Sequence, residues 1–177
     1  MAVVGDGSYR PPGRRPTRVA AMRRTRARTN LSPMITDSHI GRTYPATDPY
    51  VVSAAKVAEF ADALGDAANP AYAGPDAVAP PTFAVVLSSA AWGAMFDDPE
   101  LELSLSRTVH TDQRFTWRRP LRVGDQVTAT LTIEKFRARG SSAFITIVVG
   151  LDDADGERVC DAASTLLHSW PEKGDAA

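Results

Sequence analysis

A stretch of apolar and small residues runs from residue 79 to 96 without a single charge. Pro81 suits the first turn of a helix, where its missing N–H costs nothing, and Pro99 prevents continuation past residues 97–98. A helix that is apolar or small on every side is normally enclosed by protein, and this one is too short and too polar to span a bilayer. The pattern predicts one long buried helix around which the chain is organised.

The chain after residue 99 alternates with the period of a β-strand. Four strands are predicted, at 107–119, 126–136, 143–151 and 158–170. In the first, one face is predicted to carry Val109, Thr111, Gln113, Phe115 and Trp117, and in the second the inward residues are Val127, Ala129, Leu131 and Ile133. Turn signals at 124–125, 139–140 and 155–156 separate the strands, which predicts an antiparallel meander.

The segment before the predicted central helix begins with a short strand at 50–52. A helix then follows from the N-cap Ser53 to about Leu64, with an apolar face of Val57, Phe60, Ala61 and Leu64. Gly65 is a natural end for it. A polar loop over 66–78, with turn signals at 69–70 and 74–75, leads into the central helix and is a suitable place for a functional site.

Composition divides the 177 residues unevenly. Residues 1–33 contain eight arginines and one aspartate, so we expect a disordered basic leader, with Met34 as an alternative translation start. Residues 34–170 form the predicted globular domain, and 171–177 a flexible tail. The globular part is acidic, which argues against nucleic-acid binding. Cys160 is the only cysteine, which fits a reducing cytoplasm and a core position.

Short motifs add a family resemblance to this pattern. They are GRTYP at 41–45, GD at 65–66, NPAY at 69–72, APPTF at 79–83, VHTDQ at 109–113, RP at 119–120 and GD at 124–125. In this order and spacing, residues 39–170 resemble the N-terminal-type MaoC dehydratase domain, including the small actinobacterial subunits of (3R)-hydroxyacyl-thioester dehydratases. The resemblance implies an α+β hotdog domain, in which a curled antiparallel sheet wraps around a long central helix.

The resemblance also implies a chemistry, and the sequence departs from it at one position. Active members of the family hydrate or dehydrate coenzyme A or acyl-carrier thioesters with an Asp and a His that are separated by four residues in the loop before the central helix. Here Asp66 lies near the aspartate position, but Tyr72 follows residues 69–71 where histidine is expected, with one extra residue in the loop. A phenol replaces imidazole poorly near neutral pH. The chain is therefore predicted to be a non-catalytic subunit that lines the acyl channel.

Other residues are weaker candidates. A relocated catalytic pair would use His110 and Asp112, which as alternate strand residues are predicted to share a face. Asn69, Tyr72, Pro81, Thr82 and Phe83 are candidate substrate contacts, with the last two donating backbone N–H groups to an acyl carbonyl. His168 is expected at the surface or at an interface. Arg118, Arg119 and Arg122 are expected to form a basic cluster that is solvated or docks an anionic group. Three scattered histidines indicate neither a metal site nor a cofactor.

Three functions stay open from the sequence. The first is the non-catalytic subunit, paired with a second hotdog chain that carries the Asp and His. The second is a homodimeric hydratase that uses Asp66 or the His110 and Asp112 pair, with a thioesterase as a variant. The third is a non-enzymatic module that binds acyl-CoA or acyl-carrier thioesters. A dimer is expected in each case, because a single domain leaves an open sheet edge.

Overall fold

The computed structural model describes residues 35–171, so the predicted leader over 1–33 and most of the predicted tail over 171–177 lie outside the described residues. Five strands form one antiparallel sheet in the order β1-β3-β4-β5-β2. Their bounds are β1 Tyr50–Val51, β2 Thr108–Trp117, β3 Gln126–Arg139, β4 Ser142–Asp153 and β5 Arg158–Ser169. Within residues 35–171, no helix has both the length and the apolar character needed to cross a membrane.

The strands β3, β4 and β5 form the predicted meander. The hairpins fall at the predicted turns, and the alternate residues predicted to face inward from β3 are buried, with exposures of 0–2%. The prediction is wrong for β2, which pairs with β5 at the far side of the sheet and not with β3. The linker over 118–125 makes this possible, because eight extended residues span roughly 26 Å, more than three strand spacings.

The sequence predicts one continuous buried helix over residues 79–96, and this prediction is wrong. A short 3₁₀ turn at Pro81–Phe83 leads into α2, Ala84–Ala90, and a break at Ala91 separates it from α3, Trp92–Phe96. The hydroxyls of Ser88 and Ser89 bond backward to carbonyls three residues before them, an arrangement that bends helices. One face packs on the sheet, while Ser89, Ala90, Gly93 and Ala94 are exposed in the single chain.

The helix α1, Ala54–Ala63, forms as predicted. The Ser53 hydroxyl caps it by accepting a hydrogen bond from Lys56 N–H, and Gly65 ends it with a φ of 75°. Val57 and Ala61 are buried, and the Phe60 ring meets the Phe83 ring edge to face at 5.3 Å. Leu64 does not join this apolar face, because it lies at the C-cap and is 54% exposed.

The lead-in segment over 41–47 runs beside β3 and bonds to its backbone as far as Ile133. The Arg42 guanidinium and the Tyr44 hydroxyl both donate to Asp98 Oδ2, at 2.6 and 2.8 Å. Asp98 directly follows the last helical turn, so these bonds fasten the lead-in to the end of α3. Burial and the nearby carboxylate raise the pKa of the Tyr44 hydroxyl, which therefore stays a donor at neutral pH.

Candidate functional site

The loop over 66–78 lies at one end of the central helical segment. Its last residues are tied to the β2–β3 linker, since Val78 bridges Arg122 and Ala79 N–H donates to Leu121 O at 2.8 Å. At the start of the loop, the exposed Asp66 carboxylate accepts a hydrogen bond from Asn69 Nδ2 at 3.1 Å. Asn69 also caps the 3₁₀ turn Pro70–Tyr72 by accepting from Ala71 N–H. The bond from Asn69 therefore orients the accessible Asp66 carboxylate at the start of the loop.

Tyr72 occupies the position where the family motif has histidine. Its ring is half-buried and packs against the core, and its hydroxyl makes no hydrogen bond to any described residue. Its backbone N–H donates to Asn69 O, which completes the 3₁₀ turn. The side chain thus offers a phenol hydroxyl at the position where the family motif has an imidazole.

The three candidate substrate contacts at the start of the helical segment differ in exposure. Pro81 and Thr82 are exposed, whereas Phe83 is fully buried in the core. Phe83 N–H is already used in a 2.8 Å bond to Pro80 O, so the prediction that it is free to donate is wrong. Thr82 N–H bonds no described acceptor and is the one donor left of the predicted pair. Beside it, Pro81, Trp117, Arg118, Arg119 and Pro120 line a groove of about 330 Å³.

None of the three histidines lies beside Asp66. His39 caps the first 3₁₀ turn and lies 3.8 Å from Glu100. His168 is predicted at the surface or at an interface, but it is buried within the single chain, to 1% exposure. Its Nδ1 pairs with the Thr108 hydroxyl at 2.8 Å, and its ring packs on Trp170. His110 packs edge to face on Trp92, ten residues and roughly 15 Å along the helical segment from Thr82.

His110 and Asp112 do not share a strand face, so that prediction is wrong. A register shift lies between them: His110 pairs with Leu166 and Asp112 with Thr165, which are neighbours on opposite faces of β5. Thr111 is the extra residue of this bulge and reverses the alternation. The His110 Nε2 pairs with the backbone carbonyl of Asp112 at 3.0 Å, not with its carboxylate. The geometry gives no acid–base pair at this position in the single chain.

Comparison with known proteins identifies the family. A family model described as FAS1-like, dehydratase domain region, matches residues 38–162. The UPF0336 protein PPA1896 of Cutibacterium acnes is 56% identical over 138 residues, covering 78% of this chain and 96% of that protein. The chain belongs to the FAS1-like dehydratase family. UPF0336 protein SCO4636 of Streptomyces coelicolor is 41% identical over 145 residues, covering 77% of this chain and 96% of its own length.

Solved structures place this FAS1-like dehydratase chain in the hotdog fold. One chain of the C-terminally truncated HadBC (3R-hydroxyacyl-ACP dehydratase) complex of Mycobacterium tuberculosis superimposes with a TM-score of 0.64 at 26% identity, covering 75% of this chain and 98% of that one. A MaoC-like dehydratase gives 0.66 at 25%, covering 75% of this chain and 42% of that one. The resemblance found from the motifs is confirmed, as is the single hotdog domain.

The predicted basic cluster of this FAS1-like dehydratase chain is largely neutralised. Arg119 bonds Asp125 and Asp153 at 2.7 and 2.9 Å, and these hydrogen bonds raise the pKa of the guanidinium and lower that of Asp153. Arg118 lies 3.4 Å from Asp161. Of the three guanidinium groups, that of Arg122 alone forms no ion pair with a described carboxylate, although its backbone N–H donates to Asp125 Oδ2 at 2.8 Å. The cluster therefore clamps the β2–β3 linker to the sheet rather than presenting three free cations.

Sequence reasoning missed a second groove of about 350 Å³ between the central helical segment and the sheet. It is lined mainly by apolar side chains and by the end of the lead-in segment: Thr47, Asp48, Pro49, Tyr50, Val86, Leu87, Ala90, Val127 and Ala129. Small residues such as Ala90 and Ala129 leave the space. The many small residues over 79–96 were the sequence signal for such a space. The sequence alone could not show which small residues face one another across it.

Neither a metal site nor a reactive thiol is apparent in the part of the chain that the structure describes. Over residues 35–171, no three His, Cys, Asp or Glu side chains lie together as a metal site needs. Cys160 is buried in β5 as predicted, and burial raises the pKa of its thiol to about 11, so it stays protonated. The arrangement supplies one carboxylate, one phenol, one backbone donor and two grooves.

Proposed function

We propose that this chain is the non-catalytic, substrate-channel subunit of a (3R)-hydroxyacyl-thioester dehydratase, and that its partner is a second hotdog chain that carries the Asp and His. In the complex, this chain contributes the groove beside α2 and the acyl-facing residues Asn69, Tyr72 and Pro81. Thr82 supplies its backbone N–H toward the thioester carbonyl. Phe83 acts indirectly, by fixing the start of the helical segment from the core.

The observation that carries this proposal is the position of the imidazoles. Hydration of an enoyl thioester needs a group that takes a proton from water and returns one to carbon. Asp66 has Asn69 as its hydrogen-bonding neighbour and Tyr72 nearby in the loop, while all three histidines of the chain are engaged elsewhere. Without an imidazole beside it, Asp66 cannot form the acid–base pair on this chain. The complete Asp and His pair is best supplied by another chain.

Comparison of the two free edges of the sheet favours β2 as the edge that pairs with a partner. Beyond Ile133, where the lead-in segment ends, the free part of β3 carries Lys135, Arg137 and Arg139, and such charges discourage strand pairing. β2 presents a ten-residue edge with exposed Val109 and Thr111. An uncovered edge of this length is an aggregation hazard, so a partner is expected on it. The central helical segment also has an exposed face, which includes Ala90 and Gly93 and is not covered in the single chain.

The name of one relative agrees with this assembly. The matching HadBC chain belongs to a complex named as a 3R-hydroxyacyl-ACP dehydratase, and this chain covers 98% of its length. A carrier-protein or coenzyme A thioester is therefore the substrate class proposed here. Fatty-acid metabolism is the corresponding metabolic context.

Two preparations test the proposal: the purified chain alone, and the same chain co-expressed with a hotdog chain that has an intact Asp-x4-His loop. The chain alone is expected to hydrate a crotonyl thioester no faster than buffer. The co-expressed pair is expected to elute as a heterodimer and to turn the substrate over. Turnover by the chain alone that Asp66→Asn abolishes would establish a self-sufficient enzyme instead. Saturable thioester binding without turnover in both preparations would establish a binding module.

A further inference from the structure

A further groove lies away from the loop and the central helix. It has a volume of about 640 Å³ and follows the free end of β3 on the outer side of the sheet. Ile40 lies at one side of it, and the hairpin over 139–142 lies at its end. Val127 lines the groove beside the central helical segment. Arg137 lies ten residues further along β3, a separation of roughly 30 Å along the strand. The groove is therefore a separate feature.

Three cations line this groove and none of them is neutralised. Lys135, Arg137 and Arg139 are exposed, and none forms an ion pair or a side-chain hydrogen bond with any residue in 35–171. This contrasts with Arg42, Arg119 and Arg158, each of which contacts two carboxylates. Alternate residues of a strand lie about 6.6 Å apart, so these long side chains can converge on one polyanion.

The floor of the groove adds neutral donors and an aromatic ring. Lys135 pairs across the strands with Thr146, and Thr146 with Thr165, so an ammonium and two hydroxyls lie in one row, which Asp112 of β2 continues beyond Thr165. Neither hydroxyl bonds a described residue. Arg137 pairs with the half-buried Phe144 in the next row. Hydroxyls and guanidinium groups suit phosphate oxygens, and a phenyl face beside a guanidinium suits a planar ring.

We infer that this groove binds a nucleotide carrying at least two phosphates, with Lys135, Arg137, Arg139 and the two threonine hydroxyls on the phosphates and Phe144 against the base. Its volume lies within the range of small-molecule sites. Two sources share this chemistry: a free nucleoside diphosphate, and the nucleotide end of coenzyme A. The inference goes beyond the proposed dehydratase role and does not rest on it, because it needs neither a partner chain nor turnover.

Isothermal titration of the purified chain tests the inference, with ADP, coenzyme A, adenosine and inorganic phosphate as probes. ADP is expected to bind saturably, with adenosine and phosphate at least about ten-fold weaker, since each supplies only half of the contacts. Affinity for ADP is expected to fall as salt rises. Coenzyme A binding that is about ten-fold tighter than ADP binding, and is lost with Arg137→Gln, identifies coenzyme A as the source. Equal binding of the two identifies the free nucleotide.

Substitutions locate the site. Arg137→Gln and Phe144→Leu are each expected to weaken ADP binding about ten-fold or more. Arg114→Gln, which removes an exposed guanidinium of β2 outside the groove, is expected to change it less than about two-fold. The inference is overturned if ADP does not bind, which would leave the three cations as protection of a strand edge only. It is equally overturned if both groove variants bind ADP as the unmodified chain does, or if an acidic peptide binds the groove more tightly than ADP.

Discussion

Phe83 gives a sharp test of the site, because sequence reasoning made it a substrate contact while the structure places its ring in the core. The ring is fully buried and meets Phe60 edge to face at 5.3 Å. Replacing Phe83 is therefore expected to lower the stability of the chain. If the ring instead lines the acyl site, replacement changes substrate binding and leaves stability nearly unaltered.

The magnitude follows from burial. Phe83→Ala removes a fully buried ring, which typically costs about 3–5 kcal/mol in the free energy of unfolding. The edge-to-face contact with Phe60 contributes about 0.5–1.5 kcal/mol of interaction beyond area burial, which places the expected loss toward the upper end. Phe83→Leu keeps most of the volume and should cost about 1 kcal/mol. Domains of this kind are stable by about 5–15 kcal/mol, so the alanine variant loses a large share.

Urea unfolding measured at one fixed protein concentration provides the assay, since association shifts apparent stability. With a slope of about 2 kcal/mol per molar, a 4 kcal/mol loss lowers the midpoint by about 2 M. Thr82→Ala is the matched control, because it alters the neighbouring exposed side chain and should cost less than about 0.5 kcal/mol. A loss below about 1 kcal/mol for Phe83→Ala would refute the assignment of this ring to the core.

Three further predictions concern stability and assembly. Burial lowers the pKa of His168, so folding favours the neutral imidazole. Its contribution to the free energy of unfolding is fully present above the ordinary histidine pKa and is lost as pH falls below about 6.5. In urea titrations, His168→Gln should flatten this dependence between about pH 7.5 and 5.5. Asp98→Ala removes the acceptor of two side-chain bonds and should cost about 2–4 kcal/mol in thermal melts, whereas Glu100→Ala, at a carboxylate that is 64% exposed, should cost under about 1. Introducing lysines at Val109 and Thr111 should release monomer in size-exclusion chromatography with light scattering, and an unchanged assembly would place the interface elsewhere.

Much of the fold is legible in the sequence because it depends on simple periodicity. The inward alternation of β3, the Ser53 cap and the Gly65 stop are local signals, and each fixes its element without reference to the rest of the chain. The pairing of β2 with β5 is not local. A linker of eight residues is long enough for β2 to pair with β3 or with β5, and only the packing of the whole sheet selects β5.

The misplaced residues have several causes, and none of these causes is visible in the local sequence. The bulge at Thr111 places His110 and Asp112 on opposite faces, although they are two residues apart. The backward bonds of Ser88 and Ser89 accompany the break at Ala91 in a segment that otherwise reads as one helix. The burial of His168 depends on partners 60 and more residues away. By contrast, the absence of a histidine at position 72 is visible directly in the sequence.

The most direct test of the central claim compares two equivalent substitutions in the reconstituted heterodimer. Hydration of a crotonyl thioester is measured with Asp66→Asn in this chain, and separately with the loop aspartate of the partner changed to asparagine. Because the partner is proposed to carry the catalytic pair, kcat/KM is expected to stay within about three-fold for Asp66→Asn and to fall at least about a hundred-fold for the partner substitution. A hundred-fold loss from Asp66→Asn, with the partner substitution tolerated, would contradict this claim.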